Sequence, residues 1–161
     1  MIQIDNVSGT IAESLCRKIT SNLPEYFGIP EANEHYAEGV HSRQNFAASV
    51  DEEYIGLISI DFPYPNNCNI YWMAVLRHFQ RRGIGHRIIE AACIFAKEKG
   101  ATTMTVETLA PIESDKNYLK TYNFYRSSGF SPLLNLKPQG YEWNMVYMVK
   151  TFFNYPLQPK I

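Results

Sequence analysis

The sequence predicts a mixed α/β fold, and its patterning, length and composition all point to that class. Short apolar or β-branched runs adjoin amphipathic helical patterns throughout the chain. The 161 residues suit one hydrophobic core, so a single domain is expected over residues 1–161. Hydrophobic residues make up 45% of the chain and charged residues 19%, which is the composition of a globular rather than a disordered protein.

Two helices are predicted near the N-terminus. Within residues 8–22, apolar residues recur at every fourth position and predict an amphipathic helix, which Pro24 ends. A second helix is predicted from Pro30 to about His41, with proline in its first turn. The apolar positions of the first helix are Ile11, Leu15 and Ile19.

Six later segments predict strands. "NFAASV" and "YIGLISIDF" suggest a hairpin around Asp51-Glu52-Glu53, followed by "FPYPNNCN" as a loop and "IYWMAV" as a short buried strand. "TTMTVETL" is rich in β-branched residues and predicts the next strand. "GFSPLLNL" and "YEWNMVYMV" close the chain as two further strands around Pro138-Gln139-Gly140.

Two more helices are predicted between these strands. One begins after Gly83 and ends at Gly100, a residue type that commonly follows a helix C-terminus. The other is short and spans Asp115 to Ser128. The apolar face of the first consists of Ile84, Ile88, Ala91, Ala92 and Phe95.

The segment "QRRGIGHRII", residues 80–89, indicates an anion-binding site. Glycines at the N-terminus of a helix let an anion approach backbone N–H groups that have no partner inside the helix. The helix dipole adds about half a positive charge there. Arg81 and Arg82 add formal charge beside Gly83 and Gly85. The same residues also fit a plain junction between a loop and a helix with exposed arginines.

Two common phosphate cradles do not match this segment. No GxxxxGK[ST] run occurs in the chain. A dinucleotide fingerprint needs a third glycine where Ile88 stands, and it directly follows a strand, whereas Leu76–Arg82 intervene here. Glu107 does lie 22 residues after Gly85, near the expected place of a ribose-binding acid. The chain is nevertheless too short for a second nucleotide-binding half, and the dinucleotide interpretation is rejected.

Together with one later motif, this segment resembles the GNAT superfamily of N-acetyltransferases, in particular its small bacterial single-domain members. Gln80, Gly83 and Gly85 match the Q/R-x-x-G-x-G/A motif of that superfamily. Tyr125, followed closely by Gly129-Phe130, matches a later one. The order of elements agrees over about residues 45 to 137. The resemblance implies a mixed, mostly antiparallel central sheet with splayed central strands and flanking helices.

The resemblance also implies acetyl-coenzyme A (acetyl-CoA) as a co-substrate. Its pyrophosphate would lie on the backbone N–H groups from Arg81 to His86, and its pantetheine arm would pair like an added strand near Met73 and Val75. The residues implied in binding are Met73, Val75, Gln80, Arg81, Arg82, Gly83, Ile84, Gly85, His86 and Asn117. His86 also fits a solvated helix position.

Acetyl transfer to an amine suggests two catalytic residues. A lysine-like amine with a pKa of about 10.4 must lose a proton, and Glu107, on the strand beside the cradle, is the candidate base, directly or through water. The departing thiolate benefits from a proton, and Tyr125 is the candidate acid. A donor for the thioester oxygen is expected from backbone N–H near Val75. Glu107 also fits a solvent-facing strand position, and Tyr125 a packed aromatic.

Two positions depart from the pattern of the resemblance. Many members carry Asn where this chain has Tyr118, with Asn117 beside it, so the cofactor contact implied for Asn117 is in doubt. Tyr122 stands where similar sequences often carry Arg, which alters how the acceptor is held.

The acceptor is expected to be a small-molecule or peptide amine. Glutamates cluster between Glu25 and Glu38 with aromatic residues between them, which raises the hypothesis of a partly acidic, aromatic pocket for a small cation; a solvated helix face fits the same pattern. The residues concerned are Glu25, Glu31, Glu34, Glu38, Tyr26, Phe27 and Tyr36. Trp72 and Trp143 are expected in the core or at its rim.

A non-catalytic acetyl-CoA sensor and an assembly module, suggested by the apolar tail "TFFNYPL", remain alternatives, with a homodimer as one candidate assembly.

Charge and cysteine content limit the other partners. Fifteen Lys and Arg face sixteen Asp and Glu, and this balance does not favour nucleic acid as a partner. The cysteines Cys16, Cys68 and Cys93 show no metal-binding spacing, so no metal is expected, and Cys16 and Cys93 are predicted to be buried thiols. No apolar run approaches the roughly 20 residues of a membrane span, and a cytoplasmic location is expected.

Overall fold

A computed structural model describes residues 1–152 of the chain. The elements, in order, are β1 (Ile2–Val7), α1 (Gly9–Asn22), α2 (Pro30–His41), β2 (Gln44–Val50), β3 (Glu53–Tyr64), β4 (Asn67–Val75), α3 (Ile84–Glu98), β5 (Thr103–Leu109), α4 (Lys116–Ser127), β6 (Ser131–Leu136) and β7 (Met145–Thr151). Short 3₁₀ turns cover Arg77–Phe79 and Pro111–Glu113. Most of the tail "TFFNYPL", from residue 153 onward, lies outside the described residues.

The strands form a seven-stranded sheet in the order β1-β2-β3-β4-β5-β7-β6. Every neighbouring pair is antiparallel except β4 and β5, which are parallel and joined through α3. Helix α1 packs on β2 and β3 and against α2, α3 packs on β2 and β3, and α4 packs on β5. The predicted mixed, mostly antiparallel α/β fold with flanking helices is therefore confirmed.

The sequence interpretation missed β1 and wrongly assigned a loop to "FPYPNNCN". Strand β1 pairs along its whole length with β2 at the edge of the sheet, and most of its side chains are not buried. It therefore lacks the apolar run that marks a buried strand. The assigned loop is mostly a continuation of β3 and β4, which pair as far as Tyr64 and Asn67 and leave a two-residue turn at Pro65-Asn66. Exposed hairpin residues carry no burial pattern.

The predicted helices are confirmed, with changes in which residues face the core. Ser8 caps α1 by accepting a hydrogen bond from the Ile11 N–H, and Ile11 itself is 36% exposed rather than buried. The buried face of α1 is Ala12, Leu15, Cys16, Ile19 and Thr20. In α3, Ala91 and Phe95 are only partly buried, and the core positions are Ile84, Ile88, Ile89, Ala92, Cys93 and Ala96. All three cysteines are buried free thiols.

The central strands β4 and β5 pair over only part of their length. Their parallel register ends at Ile70 and Val106, although β4 continues to Val75 and β5 to Leu109. At the same point β4 carries a bulge, because Ile70 and Trp72 pair with consecutive residues of β3 and Tyr71 is left over. A bulge bends its strand, so the splayed central strands predicted from the resemblance are present.

Packing holds the bulge residue Tyr71 in place. The guanidinium of Arg43 lies 3.5 Å from the centre of its ring, and Arg43 is in turn paired with Asp61. The ring of Tyr36 from α2 lies 5.3 Å away, centre to centre. Gly39 of α2 lies so close that an added Cβ would be 2.1 Å from the Tyr71 hydroxyl oxygen. The glycine therefore makes room for this ring.

None of the helices within residues 1–152 is long and apolar enough to cross a membrane.

We expect Gly39→Ala to destabilise the protein, although alanine in a helix normally stabilises by up to about 1 kcal/mol relative to glycine. The new methyl group would overlap the Tyr71 ring, and overpacking of this kind costs about 1–3 kcal/mol. Urea unfolding measures the change. Gly28→Ala is the control, because its Cβ would be 3.4 Å from the nearest atom, the Pro24 carbonyl oxygen. A Gly39→Ala variant that is more stable than the parent would contradict the packing described for Tyr71.

Candidate active site

A cavity of about 1220 Å³ opens where β4 and β5 part. Its walls come from the ends of both strands, the segment between β4 and α3, the connection between α1 and α2, and α4. Most of the predicted site residues line this one cavity: Met73, Val75, Gln80, Arg81, Gly83, Ile84, Gly85, His86, Glu107, Asn117 and Tyr125. Arg82 does not, and its guanidinium instead lies 5.6 Å from the centre of the Phe79 ring.

The N-terminus of α3 presents free backbone donors at one end of the cavity. Gly83 is the N-cap residue, has a φ of 77°, and contributes no side-chain cap. The first hydrogen bond of the helix runs from the Arg87 N–H to the Gly83 carbonyl. The N–H groups of Ile84, Gly85 and His86 precede it and have no acceptor within residues 1–152. The first turn also contains no acidic residue, so the positive end of the helix dipole lacks a local counter-charge.

Gly85 has a packing role that the sequence did not reveal. A Cβ at this position would lie 2.8 Å from Cζ of Phe124 on α4. The sequence interpretation attributed the glycine to the close approach of a diphosphate. In the structure the ring of Phe124 already requires the absence of a side chain, so α3 and α4 can meet closely here.

The other polar side chains of this segment mainly hold the backbone. The Gln80 side chain donates to the Val75 carbonyl from its Nε2 atom, at 3.0 Å, and so ties the segment to the end of β4. Nδ1 of His86 lies 2.9 Å from the Ser128 hydroxyl, and its ring packs against Phe124. Arg81 is exposed and has a φ of 60°, a left-handed conformation that few non-glycine residues adopt.

The end of β4 presents to the cavity backbone groups that pair with neither β3 nor β5. The Leu76 N–H donates to the Ile55 carbonyl, so Leu76 and Ile55 form a hydrogen-bonded pair. Antiparallel pairs alternate, and the backbone groups of Val75, opposite Gly56, therefore point away from β3. The same alternation applies to Met73. These groups face the side where pairing with β5 has already ended.

Glu107 brings a carboxylate to the other wall of the cavity. It lies on β5 just beyond the last residue paired with β4. Its Oε1 atom is buried and has no hydrogen-bond partner among residues 1–152. Tyr147 of β7 is its cross-strand neighbour, and burial, followed by the Glu107 carboxylate, raises the pKa of the Tyr147 hydroxyl. A buried, unpartnered carboxylate oxygen is able to accept a proton or a hydrogen bond from a ligand.

Tyr125 lines the same cavity from α4. It is 5% exposed, and its ring packs edge-on against Phe130. Burial raises the pKa of its hydroxyl, so the group is protonated at neutral pH. No described residue forms a hydrogen bond with this hydroxyl, which leaves its proton available to a ligand.

Tyr118 on α4 connects two walls of the cavity. Its hydroxyl donates to the Tyr26 carbonyl at 2.6 Å, and the two rings meet edge to face at 5.9 Å. The interaction links α4 to the connection between α1 and α2. Asp115 orients this end of α4 by accepting hydrogen bonds from the N–H groups of Asn117 and Tyr118.

The hypothesis of an acidic acceptor pocket is half wrong. Its aromatic members, Tyr26, Phe27 and Tyr36, do line the cavity. Of its four glutamates only Glu25 does, and its carboxylate is paired with Arg77 at 2.5 Å, which holds the pKa of Glu25 below its usual value. The other three, Glu31, Glu34 and Glu38, line a separate depression on the outer face of α2. Within the described residues, no group of three candidate metal ligands comes together.

A sequence model of the Acetyltransferase (GNAT) family matches residues 12–130. The chain belongs to this family. The match spans α1 to the residue before β6, and so includes the parted strands, the glycine-opened helix and Tyr125. No curated protein sequence matches the chain.

Solved structures of GNAT enzymes share the fold at low sequence identity. The ribosomal-protein-S18-alanine N-acetyltransferase from Escherichia coli is 16% identical over 100% of both chains, with a TM-score of 0.75. An aminoglycoside 6'-acetyltransferase type Ii is 19% identical, covers 96% of this chain and 99% of its own, and has a TM-score of 0.76. The PaiA N-acetyltransferase from Thermoplasma acidophilum, crystallised with coenzyme A, is 18% identical over 94% and 99%, with a TM-score of 0.71.

Sequence reasoning missed several residues of this site. Phe124, Tyr147 and the bulge residue Tyr71 carry no motif, and only their register or packing assigns them a place. Trp72, expected in the core or at its rim, is buried but also lines the cavity, and its indole N–H has no partner among the described residues. Burial patterns report how much of a side chain is covered, not which cavity it faces.

Proposed function

We propose that this protein transfers an acetyl group from acetyl-CoA to a primary amine by direct attack while both substrates are bound. One observation carries the proposal: β4 and β5 part after Ile70 and Val106, between a helix N-terminus with free donors and the carboxylate of Glu107. Membership of the acetyltransferase family and the coenzyme A complexes of similar structures support it. Release of free thiol from acetyl-CoA in the presence of primary amines tests it.

The residues present fit acetyl-CoA. The pyrophosphate would take the N–H groups of Ile84, Gly85 and His86, which have no acceptor among residues 1–152 and no acidic residue in their helix turn. The pantetheine arm would use the backbone groups of Met73 and the N–H group of Val75, which point away from β3. Gln80 holds the Val75 carbonyl, so it supports this arrangement as a positioning residue.

Acetyl-CoA supplies an activated thioester, and the chain supplies proton transfer and orientation. Glu107 accepts the proton of the incoming ammonium at its unpartnered Oε1, directly or through a water, because an amine with a pKa of about 10.4 is charged at neutral pH. Backbone N–H near Val75 donates to the thioester oxygen as that oxygen gains negative charge. The unpaired end of β4 thus contacts the acetyl donor, and Glu107 at the unpaired end of β5 contacts the acceptor amine.

Tyr125 donates the proton that the departing thiolate takes up. Its hydroxyl is protonated at neutral pH and is not occupied by another described residue. The pairing of Glu107 and Tyr125 in one cavity favours an enzyme over a protein that only senses acetyl-CoA, because binding alone requires neither group.

We expect His86→Glu to weaken acetyl-CoA binding roughly tenfold relative to His86→Gln without lowering the stability below that of the Gln variant, since both variants lose the same ring contacts. A carboxylate in the first turn of α3 complements the helix dipole but repels a pyrophosphate at the same N–H groups. Calorimetric titration with coenzyme A and thermal unfolding measure the two effects. His86→Gln is the neutral control and is expected to bind like the parent. Equal affinity in the Glu and Gln variants would place the pyrophosphate elsewhere.

We expect Tyr125→Phe to keep acetyl-CoA affinity and lower kcat. The ring still packs against Phe130, and only the proton donor is lost. General acid catalysis contributes about 10²–10⁴-fold, so kcat is expected to fall within that range. Steady-state kinetics and a binding titration separate the two quantities. Full activity in the variant would leave Tyr125 as a packing residue only.

We expect Glu107→Gln to lower kcat/KM most at neutral pH, with a deficit that narrows as the pH approaches the pKa of the acceptor amine. Near that pH the substrate arrives already deprotonated and needs no base. An acceptor amine whose pKa lies below the assay pH is the matched control and should show a much smaller deficit. Because high pH also discharges the amine, kcat and KM are followed separately. A pH profile parallel to that of the parent would contradict the role of Glu107 as base.

A further inference from the structure

Five of the aromatic residues that line the cavity form what we call the aromatic recess: Phe27, Tyr36, Tyr71, Trp72 and Tyr118. Tyr71 and Trp72 follow Ile70 on β4, and Glu107 follows its partner Val106 on β5, so the recess adjoins the Glu107 carboxylate. The rings of Phe27 and Trp72 lie 5.5 Å apart, and those of Tyr36 and Tyr71 lie 5.3 Å apart. The residues come from the connection between α1 and α2, from α2, from β4 and from α4. Rings from several elements therefore converge on the open ends of the central strands.

The recess is held in place before any ligand binds. Arg43 covers one face of Tyr71, and Gly39 leaves space for the Tyr71 hydroxyl. Tyr118 is anchored by its hydrogen bond to the Tyr26 carbonyl. Packing and hydrogen bonding of this kind reduce the conformational entropy that the side chains would lose on binding a ligand.

Two carboxylates line the cavity, and Glu107 is the one that has no cationic partner among residues 1–152. The other carboxylate of the lining, Glu25, is paired with Arg77. Outside the lining, Asp61 is paired with Arg43, and Glu113 accepts hydrogen bonds from both the backbone and the side chain of Asn144. A second cationic group on the acceptor would therefore find no free carboxylate here.

The remaining charges of the lining are positive. Lys120 lines the cavity and forms no ion pair with a described residue, whereas Arg81 lies beside the N–H groups that would take the pyrophosphate. Lys120 would repel a polycationic acceptor, whose ammonium groups also lose hydration on entering. The glutamates on the outer face of α2 do not compensate, because they line a separate depression.

We propose that the acceptor is a small primary monoamine with an aromatic body, whose ring packs in the aromatic recess while its ammonium group meets Glu107. This inference rests on the proposed function and names the substrate class of the same site. Ring stacking provides affinity without a further charged group, because aromatic pairs contribute binding free energy in addition to that of burying their apolar surface. The single free carboxylate matches a single amine.

The test compares amines that differ in one property at a time, by thiol release from acetyl-CoA with the full-length protein. 2-Phenylethylamine carries one amine and a ring, n-butylamine one amine and no ring, and spermidine and kanamycin several amines. A short peptide with an N-terminal alanine represents protein acceptors. We expect kcat/KM for 2-phenylethylamine to exceed that for n-butylamine, spermidine, kanamycin and the peptide by about tenfold or more.

Variants of Tyr36 connect the preference to the recess. Tyr36→Leu is expected to raise KM for 2-phenylethylamine about three- to tenfold more than KM for n-butylamine, because only the amine with a ring loses a stacking partner. Tyr36→Phe keeps the ring and is expected to retain the preference. Tyr64→Leu, at a residue that is 70% exposed at the tip of the β3–β4 hairpin, is the surface control.

The outcomes separate the two proposals. A higher kcat/KM for spermidine, kanamycin or the peptide than for 2-phenylethylamine overturns the aromatic monoamine but leaves the acetyltransferase intact. Equal loss for both monoamines in Tyr36→Leu also overturns the recess as the binding site of the ring. Binding of acetyl-CoA without thiol release for any amine overturns both the acceptor class and the proposed function.

Discussion

The parting of β4 and β5 is the constraint on which the rest of this structure depends. Two adjacent strands in the middle of a sheet normally satisfy each other's backbone groups, but here the pairing ends at Ile70 and Val106 while both strands continue. Unpaired N–H and C=O groups need partners, and those of β4 that point away from β3 face a cavity instead of a strand. The proposed ligand site therefore lies where the sheet leaves its own backbone hydrogen bonds unmade.

Small residues at two helix positions allow the surrounding elements to close around this gap. Gly39 admits the ring of Tyr71, the residue that β4 bulges out as it bends away, and Gly85 admits the ring of Phe124, which brings α4 against the start of α3. In both places the edge of an aromatic ring contacts the helix backbone at a glycine. The N-terminus of α3 and the strand ends are consequently held in fixed relation, which is what positioning two substrates for direct transfer requires.

The distribution of charge separates the functions of the cavity. Of the two carboxylates that line it, Glu25 is paired with Arg77, whereas the first turn of α3 has free N–H donors and no acidic residue. Within residues 1–152, Glu107 has no counter-ion and lies among aromatic residues. The proposed function accordingly assigns the anionic cofactor to the start of α3 and the cationic acceptor to Glu107, with the reacting groups between the parted strands.

By itself the sequence determined the α/β class, the four helices and the glycine-opened start of α3, because periodicity and glycine chemistry are local properties. Gly83 was predicted from glycine chemistry and Tyr125 from the resemblance to the GNAT superfamily, whose motif is also a local pattern, and both line one cavity. Tertiary structure alone decided that Gly85 accommodates Phe124, that Glu25 is neutralised while Glu107 is not, and that aromatic rings converge beside it. These features depend on strand register and on contacts between distant segments, and neither is encoded in the spacing of residues along the chain.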